Sequence, residues 1–309
     1  MVRSMMPGML RSLFMVALTL AVSPAFAADA PLSRWVDVDG TVIHFYEQGR
    51  GQAGDPVLLM IHGWCGAADD FIRLLPALPE DLRLIAVDLP GCGRSGKPDA
   101  AYDPAYFQRF IGRFCATLGL TKIVLVGHSM GGQLAAHFAA TCGDLVERLI
   151  LIDPYGLKGE EGDGWAGLAD SGGFVDFVFS LNNRLFIEWG IDGRVLYKPP
   201  QELVSALADS TARSILGPDG VRAISRVTRN VIGHDQVEGV LPDIAQPTLV
   251  IWGNRDQVLP LRWAHTFVSL LPNVVLETVE DAGHMPMLEK PGQTAGLIDR
   301  FIPRDRLRP

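Results

Sequence analysis

Ser129 lies in a run of residues whose types and spacing could turn its hydroxyl into a nucleophile. The run 127–131 reads Gly-His-Ser-Met-Gly. It follows the stretch 122–126, whose apolar pattern predicts a buried strand, and it precedes an Ala-rich stretch that predicts a helix. The flanking glycines allow the chain to turn sharply there. We therefore expect Ser129 in a strained turn at the positive end of a helix, with its oxygen exposed.

A serine hydroxyl reacts poorly near neutral pH unless a base stands beside it and a third group orients that base. His284 is the predicted base, because it follows the predicted strand 274–279 in a loop framed by Gly283 and Pro286. The other histidines are assigned to packing, to the surface, to a turn or at most to a pocket lining. They are His44, His62, His128, His137, His234 and His265.

The acid that orients His284 has two candidates in the sequence. Asp256 and Asp153 each come shortly after a predicted strand. Pro154 directly follows Asp153 and favours a structural role for it, so Asp256 is the predicted acid and Asp153 is the alternative. The resulting chain order is Ser129, Asp256 and then His284, which is typical of one class of nucleophilic hydrolase.

Two backbone N–H groups are predicted to stabilise the oxyanion that forms when Ser129 attacks a carbonyl carbon. One is the amide of Met130, and the other is the amide of Trp64, in the loop after the predicted strand 56–61. Losing one such donor typically costs about 10²–10³ in rate. No Cys/His spacing in the sequence suggests a metal site, and we expect neither a metal nor an organic cofactor.

The elements that must position these residues alternate between strand and helix. The predicted strands are mostly continuous apolar runs, which is typical of a parallel sheet with helices on both faces. Their carboxyl ends then share one edge, where such sheets place their sites. Strands are predicted at 34–38, 41–46, 56–61, 82–87, 122–126, 146–152, 248–252 and 274–279, and helices near 68–78, 104–118, 130–141, 261–271 and 292–302.

The alternation stops between residues 155 and 241, a segment too long for a plain loop. We interpret it as a helical cap, or lid, inserted into an α/β core formed by residues 28–154 and 242–309. Its apolar side chains either form a small core of the cap or face a pocket that binds an acyl chain and contacts a lipid surface. They are Trp165, Phe174, Phe177, Phe179, Leu185, Phe186 and Trp189.

The first 27 residues are typical of a secretory signal peptide. Two arginines precede the apolar run 13–22, and Ala-Phe-Ala at 25–27 forms a cleavage site. A retained membrane anchor is the alternative, but the run is shorter than the roughly 20 residues that span a bilayer. We expect a periplasmic or secreted protein after cleavage near Ala27.

Composition excludes some partners. The 309 residues are 48% hydrophobic and 20% charged, with a formal net charge of −8. This is the composition of a globular protein, and no Lys/Arg run predicts binding to nucleic acid.

Five motifs in this order resemble the α/β-hydrolases that use a serine nucleophile. They are the runs 62–64, 88–95, 127–132, 252–258 and 283–284. The resemblance covers residues 33–302. It implies the α/β-hydrolase fold, with a mostly parallel eight-stranded sheet, helices on both faces and an inserted helical cap. It also implies hydrolysis of carboxylic esters through an acyl-enzyme.

A finer resemblance points to the bacterial lipase and monoacylglycerol lipase-like branch. The runs 153–157, 251–253 and 256–259 carry it. It implies a small ester or lipid substrate. If the apolar side chains of the predicted cap line the pocket, they favour medium-chain esters or monoacylglycerols over acetate esters. We expect no stable protein partner. Enzymes of the same fold with other chemistry, such as C–C bond hydrolases or cofactor-free perhydrolases and haloperoxidases, are the alternative. A non-catalytic binding protein is less favoured, because all three residues of the triad are present.

The implied fold also suggests how the four cysteines pair. The loops after the third and fourth strands are neighbours in that fold and carry Cys65 and Cys92. Two helices on one face of the sheet carry Cys115 and Cys142. We expect disulfides within these two pairs in an oxidising compartment, with free buried thiols as the alternative.

Overall fold

One sheet of eight strands forms the centre of the molecule. The computed structural model describes residues 30–51, 55–159, 195–234 and 236–302, and the single positions 184, 187, 188 and 191. The strands are β1 (Leu32–Val38), β2 (Thr41–Gln48), β3 (Val57–Ile61), β4 (Leu84–Val87), β5 (Ile123–His128), β6 (Val146–Ile152), β7 (Thr248–Gly253) and β8 (Val274–Val279). Their order is β1-β2-β4-β3-β5-β6-β7-β8.

All strand pairs are parallel except those of β2, which runs antiparallel to β1 and to β4. The predicted fold class is therefore confirmed. Strands β3, β5 and β7 are buried along their whole length, because helices cover both faces of a largely parallel sheet. This burial explains why their sequences are continuous apolar runs.

Seven α-helices occur in the part of the chain that the structure describes. They are α1 (Pro104–Thr117), α2 (Met130–Thr141), α3 (Gln201–Ile215), α4 (Pro218–Asn230), α5 (Arg262–Leu270), α6 (Pro286–Glu289) and α7 (Pro291–Phe301). The predicted helical stretch 68–78 consists of two 3₁₀ helices, Ala68–Phe71 and Leu75–Ala77, rather than one α-helix. Pro76 and Pro79 lack the N–H groups that a continuous α-helix would use.

Each face of the sheet packs into its own hydrophobic cluster. In β3, Leu59 and Ile61 belong to one cluster, whereas Leu58 and Met60 belong to the other, as side-chain alternation along a strand requires. Buried side chains of α1, α2, α4 and α5 complete the first cluster, and those of α3 and α7 contribute to the second. These two layers hold the parallel strands rigidly and so set the positions of the loops that follow them.

Helices α3 and α4 lie between β6 and β7 in the chain, inside the segment where we predicted a cap. Most of residues 160–194, including the seven apolar side chains named above, lie outside the described residues. The same holds for the predicted signal peptide 1–27. No helix of the described residues has the length and apolar character needed to cross a bilayer.

The prediction of two disulfides is wrong for this structure, in which all four cysteines are free. Within each chosen pair the two cysteines interact electrostatically: after burial, Cys92 raises the pKa of Cys65 and Cys142 raises that of Cys115. Burial raises the pKa of the Cys92 thiol to about 12, which favours its protonated form in the folded protein. Cys142 is exposed whereas Cys115 is buried, so their thiols lie in different environments.

Candidate active site

Ser129 occupies a strained turn between β5 and α2. Its backbone has φ 52° and ψ −121°, a left-handed conformation that costs a residue with a side chain about 1–3 kcal/mol. Close packing at the two flanking positions explains the glycines. A Cβ at Gly127 would lie 2.3 Å from the carbonyl oxygen of Gly131, and one at Gly131 would lie 2.4 Å from that of Ile61. The predicted sharp turn is therefore present.

His284 and Asp256 form a buried hydrogen-bonded pair. The Nδ1 of His284 donates to Oδ2 of Asp256 over 2.7 Å. The other carboxylate oxygen accepts from the amides of Val258 (2.7 Å) and Leu259 (2.9 Å). Three donors thus fix the carboxylate, and the carboxylate fixes the imidazole with Nε2 as its free acceptor.

The backbone of the His284 loop is held on two sides. Its N–H donates to the carbonyl oxygen of Val195 over 2.8 Å, and its own carbonyl oxygen accepts from Nε2 of His128 over 2.8 Å. The rings of His128 and His284 are 4.8 Å apart. Burial, and then the neighbouring His284, hold the pKa of His128 well below its usual range, so His128 is a neutral donor. His128 directly precedes Ser129 and therefore links the base loop to the serine turn.

Glu289 is a supporting residue that sequence reasoning missed. Its carboxylate accepts from the amides of Tyr197 (2.7 Å), Gly283 (3.0 Å) and Met285 (3.2 Å). These bonds hold the residues on either side of His284. The only signal in the sequence was an acidic residue, Glu289, five positions after the predicted base. The sequence does not show that the short helix α6 brings its carboxylate back to the His284 loop.

Asp153, the alternative acid, lies behind the His284–Asp256 pair. Side-chain ligand atoms of these three residues all lie within 4.8 Å of one another. One oxygen of Asp153 accepts from the amide of Gly253 over 2.9 Å, and the other, Oδ2, is buried with no partner among the described residues. Burial, and then the charge of Asp256, raise the pKa of Asp153 well above its usual range. The imidazole thus bonds to Asp256, and the raised pKa of the neighbouring Asp153 favours its protonated form.

The loop of residues 62–66, here called the β3 loop, packs against Ser129. A Cβ built on Gly63 would lie 3.0 Å from Cβ of Ser129. His62 stabilises the turn, as predicted, because its Nδ1 donates to the carbonyl oxygen of Gly63 (2.8 Å) and its Nε2 accepts from the amide of Leu89 (3.1 Å). Burial lowers the pKa of His62 and keeps its ring neutral.

The two predicted oxyanion donors belong to helix α2 and to the β3 loop. Met130 is the first residue of α2, so its N–H has no acceptor within that helix. Trp64 follows Gly63 in the β3 loop, and its indole Nε1 donates to the hydroxyl of Thr228 over 2.9 Å. Both residues therefore adjoin the serine turn.

The structure thus brings most of the predicted residues together. Asp256 and His284 are in direct contact. Met130 directly follows Ser129 in the chain, and Trp64 follows Gly63, which packs against Ser129. No direct hydrogen bond joins the described side chains of Ser129 and His284, and catalytic hydrogen bonds of this kind often form or shorten only when substrate binds. The arrangement can activate a serine hydroxyl for attack on a carbonyl carbon.

A mostly parallel sheet with a serine turn after β5 and a His–Asp pair after β7 and β8 defines an α/β-hydrolase. The alpha/beta hydrolase fold family matches residues 56–291, and the chain belongs to this family. The predicted family is therefore confirmed.

Similar proteins include several named lipases. Lipase 1 of Psychrobacter immobilis is 32% identical, over 83% of this chain and 79% of its own. Human monoacylglycerol lipase ABHD6 is 29% identical, over 82% of this chain and 77% of its own. The crystal structure of a membrane phospholipase A, described as a bacterial virulence factor, matches with a TM-score of 0.73 and 28% identity. That match covers 90% of this chain and 87% of the other.

Proposed function

We propose that this protein hydrolyses carboxylic esters through an acyl-enzyme formed on Ser129. One observation carries the proposal: the 2.7 Å hydrogen bond that orients His284 on Asp256, at the sheet edge where the strained Ser129 turn lies. A serine gains nucleophilicity from such an oriented base. The named lipases among the relatives support an ester rather than another substrate class.

In the proposed reaction, Nε2 of His284 takes the proton of the Ser129 hydroxyl as Oγ bonds to the ester carbonyl carbon. Asp256 holds the imidazole and stabilises the imidazolium that forms. The amides of Met130 and Trp64 donate to the oxyanion. The imidazolium returns its proton to the leaving alcohol as the C–O bond breaks. His284 then activates water, which releases the acid and restores the serine.

The proposed substrates are medium-chain esters or monoacylglycerols. Supporting this choice, the relatives include a lipase and a monoacylglycerol lipase. Each CH₂ group of an acyl chain that is buried in an apolar pocket contributes about 0.8 kcal/mol of binding. The cap segment between β6 and β7 would contact a lipid surface transiently. The reaction needs no metal or organic cofactor.

A panel of p-nitrophenyl esters of increasing chain length, with a monoacylglycerol, tests this proposal on the purified protein. We expect hydrolysis that peaks at medium chains and disappears in Ser129→Ala. Activity on none of these esters, or equal activity in Ser129→Ala, would contradict the proposed function. Efficiency that falls steadily beyond acetate would contradict only the chain-length preference.

We also propose export, with the mature chain beginning at Ala28. The charged and apolar pattern of the first 27 residues supports it. Expression of the full chain in a Gram-negative host, followed by fractionation and N-terminal sequencing, tests it. A protein that stays in the cytoplasm with Met1 at its N-terminus would contradict it.

A further inference from the structure

Helix α4 contacts the β3 loop through one buried hydroxyl. Thr228 is 1% exposed. Its Oγ1 accepts from Nε1 of Trp64 over 2.9 Å and donates to the carbonyl oxygen of Ile224 over 2.8 Å. Both bonding capacities of the hydroxyl are thus used, and the side chain of the predicted oxyanion residue is attached to a helix 164 positions away.

Helix α3 contacts the same loop through a second buried hydroxyl. Ser214, also 1% exposed, donates to the carbonyl oxygen of Gly66 over 3.0 Å. It accepts from the amide of Gly93 over 2.8 Å. One side chain therefore joins α3 to the β3 loop and to the loop after β4.

An ion-pair cluster on Asp69 strengthens this junction. Asp69 lies in the 3₁₀ helix that directly follows the β3 loop, and α3 supplies two of its donors, Ser210 (2.9 Å) and Arg213 (2.6 Å). Arg94 and Tyr46 also donate to it, each over 2.9 Å. Burial opposes ionisation of Asp69, but these donors outweigh burial and hold its pKa below the usual range.

The two ends of the β3 loop are thus held differently. His62 fixes the first end within the core, through bonds to Gly63 and Leu89. The far end, from Trp64 to Gly66, is tied to α3 and α4. Because a buried polar group that loses its hydrogen-bond partner is strongly disfavoured, loss of either helix contact would shift this end.

We propose that Thr228 and Ser214 are positioning residues that hold the β3 loop in its reactive geometry. The Trp64 amide is then aligned only while α3 and α4 are docked on the core, so the two are coupled. This inference rests on the proposed function, because it gives the Trp64 amide the task of binding the oxyanion. It predicts that kcat, rather than KM, responds to side chains that lie on the cap segment.

The main variant is Thr228→Val, which keeps the shape of the side chain and removes the hydroxyl. Thr228→Ser is the rescue variant, because serine can make both bonds. Ser225→Ala is the matched control. Ser225 lies one turn earlier on α4, is buried, and has a hydroxyl with no partner among the described residues. Ser214→Ala tests the second contact.

The assay measures kcat and KM for p-nitrophenyl butyrate. It also measures the inhibition constant of a trifluoromethyl ketone, which binds serine as a tetrahedral adduct. We expect Thr228→Val and Ser214→Ala to lower kcat on the order of tenfold and to weaken the inhibitor by the same factor, with KM within twofold, since oxyanion contacts act in the transition state. Thr228→Ser and Ser225→Ala should stay within twofold of the wild type.

A readout independent of activity separates this inference from the proposed function. In ¹H–¹⁵N spectra, the indole N–H of Trp64 should exchange with solvent faster in Thr228→Val than in Thr228→Ser or Ser225→Ala. A wild-type protein without esterase activity would overturn the proposed function, and with it the catalytic meaning of the coupling. Full kcat in Thr228→Val, a loss in Thr228→Ser as large as in Thr228→Val, or unchanged indole exchange would each overturn the inference.

Discussion

Two Ser–His–Asp sets occur among the residues that the structure describes, and one of the two lies at a reactive turn. In the first, Oγ of Ser33 is 2.7 Å from Nε2 of His44, whose Nδ1 is 2.8 Å from Oδ2 of Asp88. The second contains Ser129 and the His284–Asp256 pair, whose bond is 2.7 Å long. Judged by bond lengths alone, the first set is the more complete triad.

The difference lies in the backbone around each serine. Ser33 sits within the regular strand β1, opposite Tyr46 of β2. Ser129 sits at positive φ, directly before the first residue of α2, where backbone N–H groups point outward. A serine needs both an oriented base and preorganised donors for the oxyanion, and a mid-strand position supplies only the base. The comparison therefore teaches that hydrogen-bond distances within a triad do not identify an active site.

The two aspartates also differ in what they hold together. Asp88 accepts from the amides of Ala68 (2.6 Å) and Arg94 (2.8 Å) as well as from His44, so it joins the loops after β3 and β4. Burial opposes its ionisation, but these bonds outweigh burial and lower its pKa. The donors to the Asp256 carboxylate come from its own loop and from His284 in the part of the chain that the structure describes. We infer that the Asp88 set stabilises the fold and that the Asp256 set performs chemistry.

The largest expected effect separates the two serines. Ser129→Ala should lower kcat for an ester by about 10⁵-fold, as loss of a serine nucleophile does, whereas Ser33→Ala should leave it within twofold. A fluorophosphonate, which phosphonylates a reactive serine with loss of fluoride, should label Ser129 in the wild type. Peptide mapping by mass spectrometry locates the adduct. An adduct on Ser33, or strong loss of activity in Ser33→Ala, would reverse the assignment of the two sets.

Substituting the two aspartates should affect different properties of the protein. Asp256→Asn should lower kcat by about 10⁴, because the amide no longer holds the imidazole in the reactive tautomer. Asp88→Asn should instead lower the free energy of unfolding by about 3–5 kcal/mol, since an amide cannot satisfy a buried set of three donors. Steady-state kinetics and urea unfolding of both variants check this. The comparison would be wrong if Asp88→Asn left stability unchanged or Asp256→Asn kept its activity.

Sequence reasoning could predict the second set because its signals are local. The strand before Ser129, the glycines at 127 and 131 and the loop around His284 each follow from nearby residues. Asp256 could be preferred over Asp153 only by the neighbouring Pro154. The deciding facts are the bond from His284 to Asp256 and the burial that raises the pKa of Asp153. Both depend on how β6, β7 and β8 lie side by side.

The first set could not be predicted in the same way. His44 was assigned to packing or the surface, and its burial agrees with packing, but its bond to Asp88 exists because β2 lies beside β4 in the sheet. Such neighbours depend on the sheet order and not on local pattern. The Trp64–Thr228 contact is a similar case. The cysteine neighbours did follow from the fold, but the state of each thiol depends on its burial.

A smaller effect should appear in the pH dependence of stability, with opposite signs for Asp153 and Asp88. Because the pKa of Asp153 is raised, its contribution to the free energy of unfolding is complete below about pH 4. This contribution is lost as pH rises towards the folded-state pKa. Because the pKa of Asp88 is lowered, its contribution to the free energy of unfolding is present above about pH 4 and is lost on acidification. Urea unfolding at a series of pH values measures both.

Relative to the wild type, Asp153→Asn should gain stability as pH rises above about 4, by at most about 1.4 kcal/mol per pH unit. Asparagine can still accept from the amide of Gly253. Asp88→Asn should approach the wild type as pH falls below about 4. A pH-independent difference for Asp153→Asn would mean that Asp153 is ionised in the folded protein.

The smallest expected effect concerns the strain at the two serines. Ser129→Gly should be more stable than Ser129→Ala by about 1 kcal/mol, because glycine adopts positive φ without a Cβ clash. Ser33→Ala should lower the free energy of unfolding by about 1 kcal/mol, because it removes the hydroxyl that donates to His44. Urea unfolding at neutral pH measures both differences. If Ser129→Gly is no more stable than Ser129→Ala, the turn is not strained, and strain does not distinguish the reactive serine from the structural one.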